Sequence, residues 1–219
     1  MQKKDNQRLT VNIGGEELTL LPERALLWQE RSTLLISDVH LGKVDHFRKN
    51  GLPIPGQASL NNYDRLNHLL TSLDIDRVVF LGDIFHSDKN SDWEICKAFF
   101  SGYPKITFSL VVGNHDIIET KELELTFESV HKKALYMGPY ALSHEPEIHK
   151  NYYNICGHIH PGHLIKKNRQ PAMRLPCYWF REHGCILPAF GSFTGMHTIN
   201  PSTQDLIFVI ADNEVIRCQ

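Results

Sequence analysis

The chain has 219 residues, 42% of them hydrophobic and 22% charged, which is enough to bury one sizeable core and reads as a single domain over residues 1–219. A formal net charge of -2 at that apolar content excludes disordered and low-complexity classes. Nothing approaches the roughly 18 apolar residues of a membrane helix. The opening residues MQKKDNQRLT lack the apolar stretch of a signal peptide, so a cytoplasmic protein is expected. One count is out of proportion: 13 histidines stand against 11 phenylalanines and 7 tyrosines, more imidazole than a core needs. The cysteines are Cys96, Cys156, Cys177, Cys185 and Cys218, odd in number and without a CxxC pair. They are expected to be free thiols in a reducing compartment, leaving nitrogen and oxygen to hold any metal.

In chain order, Leu9 to Ile13 and Glu17 to Leu21 flank Gly14-Gly15, a two-residue hairpin signal. Thr33 to Ser37 is a short apolar run that stops at Asp38. Gly56 to Leu73 predicts a helix, with Leu60, Tyr63, Leu66, Leu70 and Leu73 at three-to-four spacing after Pro53 and Pro55. Arg77 to Leu81 reads as a buried strand ending at Gly82-Asp83. Trp93 to Phe100 is expected to be helical, and Ile106 to Val112 to be a strand ending at Gly113-Asn114. The acidic stretch Glu119 to Glu128 predicts a short helix. Tyr140 to Ser143 and Tyr153 to Cys156 are brief strands ending at His144 and Gly157. Further strands are expected around Cys177, Cys185 and Asp205.

Five strands thus each end in a polar cluster: Asp38-Val39-His40, Gly82-Asp83, Gly113-Asn114-His115-Asp116, His144 and Gly157-His158-Ile159-His160. In layered α/β folds the carboxyl ends of strands meet at one rim, where ligands bind, so the histidines are expected to converge. Carboxylate, imidazole and amide carbonyl together suit borderline-hard divalent ions. Asp38 and His40, two apart on an extended stretch, would leave the same face and reach one ion. The same spacing in His158 and His160 would give one imidazole to each of two ions. Asp83 has two oxygens and could bridge ions about 3.5–4 Å apart. Asn114 offers a carbonyl oxygen, and His144 completes the second ligand group. Seven candidate ligands suit two ions better than one.

The motifs DVH at Asp38, GDIFH at Gly82, GNHD at Gly113, SHEP at Ser143 and GHIH at Gly157 resemble, in order and spacing, those of the calcineurin-like metallophosphoesterases, over residues 34 to 161. More narrowly, LGKVDHFRKNGLPIP after His40, RLPCYWF at Arg174 and LPAFGSFTG at Leu187 are similar to the bacterial ligase-associated DNA-damage-response endonucleases. The resemblance implies an α/β fold, a four-layer α/β/β/α sandwich of two mixed sheets. It implies Asp38, His40, Asp83 and His160 on a first metal, and Asp83, Asn114, His144 and His158 on a second. His115 would stand over the phosphate as hydrogen-bond donor or general acid, with Asp116 beside it to hold the imidazolium. The activity implied is two-metal hydrolysis of a phosphodiester, most naturally in DNA. Manganese is the favoured ion, with zinc, iron or nickel as alternatives, and a DNA ligase, an exonuclease and a helicase are implied as partners. The rival readings are a phosphatase or nucleotide hydrolase acting on small phosphoesters, and a non-catalytic protein-binding scaffold.

Outside these motifs, His46 and Arg48 are candidate phosphate contacts, and His86 is a candidate substrate contact or support for the ligands. His68, four after Asp64, reads as a solvated pair with it. His131, His149, His163, His183 and His197 have no partner legible in the sequence. Residues 161 to 181 contain Lys166, Lys167, Arg169, Arg174 and Arg181 and no acid. With Tyr178, Trp179 and Phe180 they could track a nucleic-acid backbone, or else form a core strand beside a solvated loop.

Overall fold

A computed structural model describes residues 8–41, 57–85, 91–166, 171–192 and 194–219, with backbone alone at 57–60 and 91–92. Strands β1 (Leu9–Ile13) and β2 (Glu16–Leu20) pair antiparallel, with Ile13 opposite Glu16. Gly14 and Gly15 between them have φ of 64° and 86°, the left-handed backbone that a tight hairpin demands. The chain continues through β3 (Leu26–Trp28), β4 (Thr33–Ile36), helix α1 (Gln57–Ser72), β5 (Arg77–Leu81), α2 (Ser91–Ser101), β6 (Thr107–Val111), a one-turn α3 (Thr120–Leu123) and β7 (Ser129–His131). These strands form one sheet in consecutive order, antiparallel from β1 to β4 and parallel from β4 to β7. Strands β4, β5 and β6 are near-continuous apolar runs because both their faces are covered.

The second sheet is built from β8 (Leu135–Met137), β9 (Tyr140–Leu142), β10 (Tyr153–Cys156), β11 (Pro161–Ile165), β12 (Met173–Phe180), β13 (Gly184–Ile186), β14 (His197–Thr198), β15 (Leu206–Ala211) and β16 (Glu214–Arg217). Its pairing is mixed: β9–β10–β13 run parallel, while β12 is antiparallel to β11, β13 and β15. A core of Leu18, Trp28, Leu35, Val79 and Leu81 from the first sheet packs against Tyr140, Ile155, Tyr178, Phe180 and Phe208 from the second. The helices supply Leu66, Leu70, Trp93, Phe100 and Leu123 to a separate core on the first sheet's other face. This is the expected α/β sandwich of two mixed sheets. A third, small cluster of Cys177, Ile199, Ile207 and Val209 forms on the second sheet, and no described helix contributes to it.

One expectation changes and one open alternative is settled. The acidic stretch is helical only over Thr120–Leu123; Leu123 and Phe127 are buried while Leu125 is exposed, so the remaining residues turn to anchor the chain and run into β7. Tyr178 and Phe180 are core residues, and the Tyr178 hydroxyl donates to the carbonyls of Leu21 and Ala25, both at 2.7 Å. They are therefore not a nucleic-acid surface. All five cysteines are free and four are buried; burial raises their thiol pKa, to about 12 at Cys177, which keeps them protonated and poor ligands.

Asp205 closes the outer edge. It accepts from Trp179 Nε1 at 2.7 Å, Ser202 Oγ at 2.7 Å and Ser202 N–H at 3.0 Å. Burial opposes ionisation, but these donors outweigh it and hold the carboxyl below its usual range. A depressed folded-state pKa contributes stability above the unfolded value of about 4 and loses it as pH falls through the folded one. Asp205→Ala is expected to cost about 1.5–3 kcal/mol at pH 7 by urea unfolding, and less at pH 3. An equal loss at both pH values would contradict the ionised hydrogen-bonded carboxylate.

Candidate metal centre

The carboxyl ends of β4, β5, β6, β9 and β10 meet at one rim, and backbone pairing continues past the strands to hold it. Asp38 and His40 N–H donate to the Gly82 and Asp83 carbonyls at 3.1 and 3.0 Å, and Gly157 N–H donates to the His144 carbonyl at 3.0 Å. The two sheets are joined there by Phe190 N–H to Ser37 O at 2.9 Å and Gly191 N–H to Asp38 O at 3.0 Å. The Asp38 carboxylate also accepts the His158 N–H, at 3.0 and 3.1 Å to its two oxygens.

Two donor groups form on this rim. Asp38, His40 and His160 bring one ligand atom each within 4.8 Å of one another, and Asp83, His144 and His158 do the same. Asp83 lies between them: Oδ2 is 3.8 Å from His40 Nε2, and Oδ1 is 3.5 Å from His144 Nε2. Asn114 joins the second group, its Oδ1 2.9 Å from His144 Nε2, which is itself 3.0 Å from His158 Nδ1. All seven candidate ligands are thus brought together at one rim.

The backbone route differs from expectation. Asp38 and His40 do not lie on an extended stretch: their φ values are 53° and 48°, with Val39 buried between them. Asp83, His158 and His160 are also left-handed, at 52°, 67° and 50°. Left-handed backbone at non-glycine residues costs about 1–3 kcal/mol each and persists where surrounding structure enforces it. Five such residues at one rim are a constellation held open for a ligand.

The donor chemistry fits a cation. His144 Nδ1 lies 3.0 Å from the Leu81 carbonyl; an N–H donated there leaves a lone pair on Nε2, facing the Asn114 carbonyl oxygen at 2.9 Å. His160 is arranged alike, with Nδ1 3.3 Å from the Thr194 carbonyl and Nε2 3.1 Å from Asp38 Oδ1. Acceptors facing acceptors at about 3 Å suit adjacent ligands of one ion bound at about 2.0–2.2 Å. Glycines make the room. A Cβ on Gly157 would lie 2.4 Å from Asp38 Oδ2, one on Gly113 2.3 Å from Asp83 Oδ1, and one on Gly82 2.2 Å from His144 Nδ1.

Asp116 is held among backbone amides. It is buried, and it accepts from the N–H groups of Asp83 at 2.8 Å, Gly113 at 2.9 Å and Phe85 at 3.0 Å. Burial pushes its carboxyl up to about 7 while these amides pull it down. Both oxygens accept from amides, so Asp116 ties two ligand loops together. His115 stands exposed at the rim, its N–H donating to Asp83 Oδ1 at 2.9 Å and its ring centroid 5.4 Å from that of His40.

Other expectations divide. His46, Arg48 and His86 lie outside the described residues. His68 faces Glu23 at 3.7 Å rather than Asp64. His131, His149 and His183 have local partners in Ser129, Glu147 and Glu182. Two features had no signal in the sequence. Asn62, buried on α1, donates to Val39 O at 3.2 Å and accepts from Ser192 N–H at 3.2 Å, bracing the first ligand loop. Lys132 and Lys133 line a cavity of about 280 Å³ with Asn114 and His144, so cationic charge also arrives from β7–β8.

Two mixed sheets with a rim of carboxylate, imidazole and amide donors define a metallophosphoesterase. Residues 32–190 match the calcineurin-like phosphoesterase family, and the chain belongs to it; it is a metal-dependent hydrolase of phosphoester bonds. Among solved structures it is similar to the Pseudomonas putida nuclease MPE, at 27% identity and a TM-score of 0.79 over 96% of this chain and 100% of that one. A weaker likeness, TM-score 0.40 at 22% identity over 84% of this chain and 94% of the other, is to a protein of unknown function from Aquifex aeolicus. No curated protein matches the sequence.

Proposed function

We propose that the whole chain is one phosphodiesterase domain that cleaves DNA with two divalent ions. Asp38, His40, Asp83 and His160 hold one ion, and Asp83, Asn114, His144 and His158 the other. The observation that carries this reading is the place of Asp83, one oxygen toward each donor group. A pair of divalent ions supplies Lewis-acid stabilisation of phosphoryl charge and a water acidic enough to attack at neutral pH. Manganese suits this mixed ligation best, with zinc, iron or nickel as alternatives.

The chain's own residues do the rest. His115, exposed above the rim with its backbone pinned by Asp83, gives a proton to the leaving oxygen as the P–O bond breaks. Asp116 and Asn62 fix the loops that carry the ligands. Lys132 and Lys133 attract the polyanion, with a salt-dependent effect on binding. Likeness to a nuclease supports DNA as the substrate, and the ligase-associated motifs support a place in DNA repair, with a ligase, an exonuclease and a helicase as partners in the cytoplasm. Among the described residues, no helix is long and apolar enough to cross a membrane.

The test is a substrate panel on chelated and metal-reloaded protein: single-stranded DNA, nucleoside diphosphate derivatives and phosphomonoesters. Manganese-restored cleavage that is fastest on DNA is expected. Faster turnover of phosphomonoesters would replace this reading with a phosphatase, and two bound ions with no turnover would replace it with a scaffold.

A further inference from the structure

A cavity of about 550 Å³ opens beside the metal centre, lined by His158, Trp179, Arg181, His197, Ile199 and Asn200 among others. Apart from His158, none of these residues has a part in holding ions or moving the proton. Trp28 and Trp93 are buried, whereas Trp179 is partly exposed. Its indole is fixed by the 2.7 Å hydrogen bond from Nε1 to Asp205. The Arg181 guanidinium lies over that ring, its carbon 4.9 Å from the centroid, while the residue stays exposed along the cavity. His197 is joined to the ligand loop by its N–H, which donates to the His160 carbonyl at 2.9 Å.

The guanidinium is itself planar, and here it lies over a second plane, the indole. Such planes stack on nucleobases, and they tolerate any base because each has a π-face. The cavity's volume lies in the range of small-molecule sites, and its lining includes the candidate metal ligand His158, so an occupant lies next to the metal centre. We propose that it takes the base of a nucleotide adjacent to the scissile phosphodiester, stacked on the Arg181–Trp179 pair. The exposed side chains of His197 and Asn200 face that base's edge, and Ile199 gives an apolar wall. This inference rests on the phosphodiesterase reading and adds to it a base-binding subsite that makes the enzyme prefer nucleotides to simple phosphodiesters.

The experiment is steady-state kinetics on a single-stranded oligonucleotide and on copies with one abasic residue stepped along it, using wild type, Arg181→Ala and Arg181→Lys. For wild type, an abasic residue at one position beside the cut is expected to raise KM about ten-fold. Arg181→Ala is expected to raise KM on the intact strand by a similar factor, with no further rise when that base is removed. Arg181→Lys keeps the charge but not the plane, and is expected to behave like Arg181→Ala. Wild-type KM in Arg181→Lys would mean a charge contact alone, and full abasic sensitivity in Arg181→Ala would place the base elsewhere; either overturns the proposal. A wild type that turns over small phosphoesters but cuts no oligonucleotide would instead overturn the DNA reading, and this subsite with it.

Discussion

Asp83→Asn is expected to lower metal-dependent phosphodiester cleavage by at least about 1,000-fold while leaving the fold intact. Asparagine keeps an Oδ1 to accept the His115 N–H and tolerates the left-handed φ of 52° at this position. What it removes is the anionic Oδ2 on the His40 side, 3.8 Å from Nε2, and with it the carboxylate proposed to serve both ions. The change is therefore electrostatic and local. Circular dichroism and thermal unfolding should match wild type as activity disappears. Retained turnover in Asp83→Asn, or in fully chelated protein, would contradict the mechanism.

Gly157→Ala carries the second large effect, and a contrast with Gly15→Ala isolates its cause. A methyl at Gly157 would meet Asp38 Oδ2 at 2.4 Å and Ser37 Cβ at 2.5 Å, neither of which has slack, since Asp38 is fully buried and Ser37 is a backbone partner of Phe190. The Asp38 carboxylate must move, and displacement of about 1 Å in a catalytic group costs on the order of 100-fold in rate. Overpacking adds about 1–3 kcal/mol of destabilisation. Gly15, by contrast, has open space around it but a φ of 86°. Its alanine variant is expected to lose about 1–2 kcal/mol by chemical unfolding and to keep its activity, since the β1–β2 turn takes no part in the rim. Equal losses of turnover in the two variants would mean that stability, not ligand placement, sets the effect.

How much of this was legible follows from the length and chemistry of particular elements. Strands β4, β5 and β6 are apolar on both faces and end in glycine or aspartate, so their order and their polar tips could be read directly. Strands β3, β7 and β8 have three residues each, too few to show alternation. The seven candidate ligands were legible because imidazole, carboxylate and amide recur after five separate strands. The left-handed backbones of five of them were not, because only glycine announces a positive φ by its identity. Asp116 is adjacent to His115 in sequence, but the amides of two loops from which its buried oxygens accept have no local signal. The aromatic run Tyr178–Phe180 could have been surface or core; the strand's alternation puts its outer residues inside and leaves only Trp179 partly exposed. Lys132, Lys133 and Asn62 reach the rim through tertiary contacts between distant segments, which no local pattern records.

The central claim is a pair of ions held by two donor groups that share Asp83. Metal content per chain, measured by inductively coupled plasma mass spectrometry on protein purified without chelator and after manganese reloading, tests it most directly. Two ions per wild-type chain, falling to one or fewer in Asp83→Asn, is the predicted result. A reloaded wild type that saturates at one ion or none would contradict it.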